Sequence, residues 1–279
     1  RPPLAPMSIG VDSLSPSALA RLLARDRRLI AAALAALAVL AWSYLLALSK
    51  QMSADASVAW IPSTLAMPGM GDEPGGSLQL LPLTVLMWWT MMIGMMVPSA
   101  APMILQFGNV QRRELAAESP KLRVALFTAG YLAIWGAFSL LAAVAQLALT
   151  KLGLLAPLDL TVTGWLGALL VALAGIYQLT PLKNACLRRC HSPAEFLSSH
   201  WRRGNSGALR MGIDHGVYCV GCCWLLMSLL FVVGVMNLIW VAVIAVFVLI
   251  EKLVPQGETT AKINGAALLA LALFLALNA

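Results

Sequence analysis

The chain has 279 residues, 60% of them hydrophobic and 11% charged, with a formal net charge of +7. Globular domains carry about 25% charged residues, so this composition excludes an ordinary water-soluble domain. Several runs reach the roughly 20 apolar residues that cross a hydrocarbon core, which predicts an all-α integral membrane protein.

In chain order, the hydropathy pattern predicts seven transmembrane helices, at 29–48, 80–105, 124–149, 161–180, 212–235, 238–254 and 263–278. Residues 1–28 form a basic tail and 29–279 a single membrane domain. The first apolar run follows a basic segment and lacks an A-x-A site, so it reads as a span rather than a cleaved leader. Residues 49–79 are rich in Pro and Gly, read as an external loop, and hold Met67 and Met70. The apolar stretch 216–250 is too long for one crossing at 1.5 Å per residue, which places a tight hairpin near Gly234–Asn237.

Seventeen of the 19 Lys and Arg residues fall in the tail and in the loops 106–123, 181–211 and 251–262, leaving only Lys50 and Lys151 for the other side. This bias puts the N terminus in the cytoplasm and, with seven spans, the C terminus outside. The positive charge is thus a topology signal facing a lipid bilayer, and no nucleic-acid partner is expected.

The second helix contains MWWTMMIGMMVPSAAPM, with six Met in 17 residues. Met87, Met91 and Met95 lie four apart on one row, and Met92 and Met96 on a second row beside it, all on one half of the cylinder. Pro98 is expected to kink the helix beyond them. Trp88 and Trp89 read as an interfacial aromatic belt. The fifth helix carries Met211, His215, Cys219, Cys223 and Met227 at intervals of four, with Cys222 beside the row. Gly216 and Gly221 would let a neighbouring helix approach closely. A third group, Cys186 and Cys190 in CLRRCH, lies at the cytoplasmic end of the fourth helix, where Lys183, Arg188 and Arg189 would favour thiolate.

Each group has a bland reading. Met fills irregular gaps, and free Cys behaves as a small buried hydrophobe. Glu251-Lys252, ending the sixth helix, reads as an interfacial pair with Lys252 snorkelling to the headgroups. A protonatable Glu251 inside the membrane is the alternative. His215 is harder to dismiss, because an ionisable side chain near the bilayer core marks function or has a partner. Taken together, thioether, thiolate and imidazole at helical spacing favour a soft metal. Zinc prefers a closed four-ligand Cys/His site, and iron–sulfur clusters need four Cys at other spacings. Cu(I), satisfied by two or three sulfurs, fits best. No haem is expected with His215 the only histidine near the membrane, and no nucleotide without a G-x-x-x-x-G-K-[ST] loop.

The Met-rich helix, QLTPLKNACLRRC, GVYCVGCCWLLM and GVMNLIW with the following EK together resemble a family of metal-binding bacterial integral membrane proteins known as tyrosinase copper chaperones. The resemblance covers about residues 80–255. It implies copper handling at a multi-pass inner membrane, and a copper enzyme or other copper acceptor as partner. The residues whose type and spacing make them candidate ligands are Met87, Met91, Met92, Met95, Met96, His215, Cys219, Cys222, Cys223, Met227, Cys186 and Cys190.

Three functions remain open on sequence. One is a Cu(I) chaperone or transporter, with Cys186/Cys190 exchanging metal at the inner side and the second and fifth helices opposing their sulfur faces. The second is a redox-active membrane subunit using Cys219, Cys222 and Cys223. The third is a structural subunit of a membrane complex or homo-oligomer, its Met residues serving as packing. The first is favoured, which points to a metal chaperone or transporter more than to an enzyme.

Overall fold

The computed structural model describes residues 16–57, 81–113, 120–155, 161–162, 164–235, 237–254 and 256–278. Met67 and Met70 lie outside the described residues. Among the described residues, ten helices follow one another: α1 (Pro16–Ser57), α2 (Leu81–Arg113), α3 (Pro120–Lys151), α4 (Gly164–Gln178), α5 (Pro181–His191), α6 (Pro193–His200), α7 (Gly204–Ser228), α8 (Leu230–Val233), α9 (Leu238–Leu253) and α10 (Gly257–Leu277). The described elements are all helical, apart from one isolated bridge between Leu155 and Val162.

Among the described residues, five helical segments are long and apolar enough to cross a membrane, and six if the bent pair α4–α5 counts as one. That pair turns by 66°. The bend follows from QLTP: Thr180 caps α5 by accepting from the Lys183 amide, and Pro181 occupies the first turn, where its missing N–H costs nothing. The α9 helix has 16 residues, about 24 Å at 1.5 Å per residue, short of a full crossing. The predicted break before it stands where expected. Gly234 adopts φ 93°, a conformation that suits glycine, and Asn237 caps α9 by accepting from the Trp240 amide. The α1 helix runs on to Ser57, into the segment read as an external loop.

The α2 helix continues through Pro98 and Pro102 to Arg113, past the predicted end at 105. Pro98 supplies no amide hydrogen to the Gly94 carbonyl four residues earlier. Trp42 of α1 makes good that loss, its indole Nε1 donating to Gly94 O at 3.3 Å.

The interior is built around α3, which packs against both α2 and α7, with α1 on α2, α5 on α7, α9 on α2, and α4 paired with α10. The α3–α7 contact is close because glycine lines both sides. A Cβ at Gly212 would strike the Phe127 carbonyl, and one at Gly130 the Leu209 carbonyl. Small residues admit such close helix approach. Trp88, Phe107, Phe127, Tyr131 and Trp135 fill the space between them, fully buried.

Candidate metal centre

The four-residue repeat of α7 does what its spacing predicts. His215, Cys219, Cys223 and Met227 all lie on the buried face, with Met211 before them and Cys222 beside the row. Because Gly212 and Gly216 let α3 lie directly against α7, Tyr131 is delivered to the middle of this stripe.

Cys219 is the centre of the arrangement. Its Sγ accepts from Lys252 Nζ of α9 at 2.9 Å and lies 3.1 Å from the Tyr131 hydroxyl. That hydroxyl is also 3.2 Å from the Met96 carbonyl of α2. The Lys252 ammonium further donates to Ser99 Oγ at 3.2 Å and stands 4.0 Å from Met96 Sδ. The thiols of Cys222 and Cys223 donate back to the Cys219 carbonyl, at 3.1 and 3.0 Å. Cys190 of α5 sits beside Cys219 and Cys222. One helix turn earlier, Cys186 packs on Gly221, where a Cβ would come within 3.0 Å of its sulfur. The CLRRC pair therefore faces α7 and adjoins the central sulfurs rather than forming a separate group.

The cations expected to bias Cys186 and Cys190 are engaged elsewhere. Lys183 pairs with Glu251, Arg188 with Glu258, and Arg189 lies over the Tyr218 ring at 5.7 Å.

His215 is enclosed by aromatic rings: Tyr131 and Phe127 stacked at 5.5 and 6.1 Å, and Phe196 edge-on at 5.4 Å. Its Nδ1 is buried with no hydrogen-bond partner among the described residues. Buried polar atoms are normally satisfied, so an orphan nitrogen one turn from Cys219 is a free soft-to-borderline donor. Asp214 next to it points away and pairs with Arg202 at 3.6 Å.

Glu251 and Lys252 are not an interfacial pair. Both are buried, 1% and 5% exposed, and they face different partners. Glu251 Oε2 accepts from Lys183 Nζ at 2.6 Å, while Oε1 accepts from Gln178 Nε2 and Asn264 Nδ2 at 2.9 and 2.8 Å. Lys252 turns instead into the sulfur cluster. Snorkelling fails because α9 is too short to carry these residues to the surface and its end is covered by α2, α5 and α10.

The α2 methionines Met87, Met91, Met92, Met95 and Met96 are all buried, and only Met96 reaches the Lys252–Cys219 contact. The sulfur-bearing faces of α2 and α7 thus meet through side chains of α3 and α9. Trp88 is no belt residue: it is fully buried, its Nε1 donates to Gln146 Oε1 at 2.7 Å, and its ring meets Phe231 at 5.0 Å. Trp89 donates inward to the Leu132 carbonyl at 3.0 Å.

Sequence reasoning missed Lys252, Tyr131, Ser99 and Lys183. The signal available was an ionisable residue at the end of a strongly apolar helix, which in a membrane interior usually has a partner. Among the described residues, no group of three or more His, Cys, Asp or Glu side chains is placed to hold a metal ion. The arrangement offers instead a few soft donors from separate helices around one buried amine. Such a set suits an ion content with two or three sulfur ligands.

The fold and this centre define an all-helical protein with membrane-length apolar helices and a buried sulfur-lined interior. The chain belongs to the PpoB2 copper chaperone family, whose model matches residues 85–275. No curated protein and no solved structure matches the chain. The family match covers α2 through most of α10, the part that builds the centre. It associates the protein with copper.

Proposed function

We propose that this protein binds Cu(I) inside a bacterial cytoplasmic membrane and passes it to a copper enzyme, of which a tyrosinase is the type suggested by the family resemblance. The observation that carries this reading is the placement of Cys190 beside Cys219 and Cys222, with Lys252 linking Cys219 to the Met96 thioether, in a chain of the copper chaperone family. Cys219 and Cys222 or Cys190 supply the thiolates, Met96 a thioether, and His215 a further donor from the next turn. Cys223 and Met227 continue the donor row along α7. Met87, Met91, Met92 and Met95 provide weaker sulfur sites along α2 through which an ion could reach the thiolates. Cys186 is the ligand of release.

Thiolate and thioether ligands select Cu(I) over harder ions, and low-coordinate sulfur sites exchange ligands without a large barrier. The Lys and Arg bias supports a cytoplasmic N terminus, with α9 as a short sixth crossing, α10 as the seventh and the C terminus outside. In that orientation α5 and its two cysteines lie toward the cytoplasmic side.

The test is anaerobic loading of the detergent-purified protein with Cu(I), followed by elemental analysis. About one to three equivalents should be retained against a competing chelator, as expected for low-coordinate sulfur sites. The triple variant Cys219→Ser, Cys222→Ser, Cys223→Ser should lose that copper while keeping its helical circular dichroism. Full copper in the triple variant would refute the site.

A further inference from the structure

We propose that Lys252 is a specificity-determining residue: a fixed positive charge that makes the buried thiolate site accept a monovalent ion and discriminate against a divalent one. The inference rests on the Cu(I) reading of the centre and concerns how that centre chooses its metal.

The starting point is the balance of buried charge. Among the described residues, the buried ionisable side chains besides cysteine, tyrosine and His215 are Lys183, Glu251 and Lys252. Glu251 is the one carboxylate of the three, and it is already committed. Its Oε2 holds Lys183 at 2.6 Å, and its Oε1 is filled by Gln178 and Asn264. Lys252 has no carboxylate to pair with. Its contacts are Cys219 Sγ, Ser99 Oγ and the Met96 thioether. A charge in such a site needs an opposite one nearby, because burial of an isolated ion is far too unfavourable. The only group within reach that can carry negative charge and accept the ammonium's hydrogen bond at 2.9 Å is the Cys219 sulfur.

Now consider a metal held by two thiolates at this point. With Cu(I), two thiolates and one ammonium sum to zero. With Zn(II) or another divalent ion, the same set sums to +1, and the excess sits in a low-dielectric interior with no carboxylate free to balance it. Coulomb energies are larger in a medium of low dielectric, so one unbalanced charge weighs heavily. Ligand softness makes this distinction only in part, since thiolates also bind Zn(II) and Cd(II). The ammonium supplies the rest. A sulfur ligating a metal keeps lone pairs, so Lys252 can go on donating to Cys219 beside the bound ion.

The ion pair Ag(I) and Cd(II) isolates charge from softness, because both are soft and neither changes oxidation state under the conditions needed. Purified protein is equilibrated with an equimolar mixture of the two, freed of unbound metal, and analysed for both elements. The ratio within one sample does not depend on how much protein is correctly folded. Wild type should retain mainly silver. Lys252→Met, which keeps the volume and removes the charge, should shift the Ag:Cd ratio toward cadmium by about 30-fold or more. The bound thiolates of that variant need no ammonium when metal-free, since they are then ordinary buried thiols. Lys252→Arg, which keeps the charge, should retain the wild-type preference.

An unchanged ratio in Lys252→Met would overturn the inference while leaving the copper site standing. So would a shift toward cadmium that Lys252→Arg reproduces in full, because charge would then not be the cause. Wild-type protein that holds neither Ag(I) nor Cu(I) would bring down the copper reading and this inference together.

Discussion

Glu251 and Lys252 are adjacent in the chain and equally hidden, yet they sit in opposite electrostatic situations. The carboxylate is saturated: one ammonium and two amide groups, from α4, α5 and α10, occupy its oxygens. The ammonium next to it meets a thiol sulfur, a hydroxyl and a thioether, and no carboxylate. Successive residues on a helix point about 100° apart, so α9 can feed one side chain to a closed structural network and the next to a chemically open one. A buried ion pair with every lone pair satisfied holds helices together; a buried cation left with sulfur is available for metal chemistry.

The comparison breaks most visibly from the carboxylate side. Replacing Glu251 by Leu strands the Lys183 ammonium and leaves Gln178 and Asn264 without their acceptor. Removing one partner of a buried pair typically costs about 3–5 kcal/mol. Glu251→Leu should therefore show sharply lower yield and a lower unfolding midpoint in detergent, whether or not copper is added. Cys219→Ala is the matched change on the other side. Without Cys219 the Lys252 amine can give up its proton and still donate to Ser99, so the expected loss is nearer 1–3 kcal/mol, the range for one unmade buried hydrogen bond. Equal destabilisation by the two variants would mean that the sulfur side is as closed and structural as the carboxylate side.

Met96 against Met91 sharpens the same contrast at smaller scale. Both are buried on α2, but only Met96 reaches the ammonium that touches Cys219. Met→Leu conserves volume, so each single change should cost less than about 1.5 kcal/mol in stability. Cu(I) affinity should separate them. Met96→Leu should weaken retention against a chelator several-fold, and Met91→Leu should leave it within about twofold, since Leu supplies packing but no thioether. Identical affinities would return the α2 row to packing throughout.

The parts of this arrangement that a linear reading could find are those written in local spacing. The α7 stripe is legible because a residue every four positions lands on one helix face, and a face carrying His215 and three cysteines beside two glycines has to be buried against something. The hairpin at Gly234–Asn237 is legible for a similar reason, an apolar run too long for one crossing. The α4–α5 bend carried a readable signal in Thr180-Pro181, a cap followed by a helix-starting proline, inside a run otherwise apolar enough to mask it. What spacing cannot give is who meets Glu251 and Lys252. Their partners are 13 to 156 residues away in sequence. A charged pair at a helix end looks the same whether water or four other helices cover it. The same blindness put Trp88 in a belt, since its acceptor Gln146 lies 58 residues on.

The smallest expected effect concerns Cys186, which stands at the edge of the comparison. Both cysteines are partly buried, but Cys190, one turn along, adjoins Cys219 and Cys222, whereas Cys186 packs against Gly221. Helix α7 is held there by a second contact, the Tyr177 hydroxyl donating to the Gly221 carbonyl. If Cys186 were only filler, serine should serve nearly as well, because Gly221 leaves room and the site is not fully dry. If it is the sulfur that takes the ion from Cys190, Cys186→Ser removes one exchange step while every central ligand stays in place. Equilibrium copper content should then match wild type, and the rate of Cu(I) transfer to an added chelator or apo copper enzyme should fall a few-fold, on the order of 1 kcal/mol in the barrier. Cys190→Ser should differ in kind, lowering content as well as rate, since it touches the central sulfurs directly. Stopped-flow transfer of pre-loaded copper separates the two. Unchanged transfer in Cys186→Ser would leave Cys190 as the last ligand on the path and confine the exchange site to the sulfurs around Lys252.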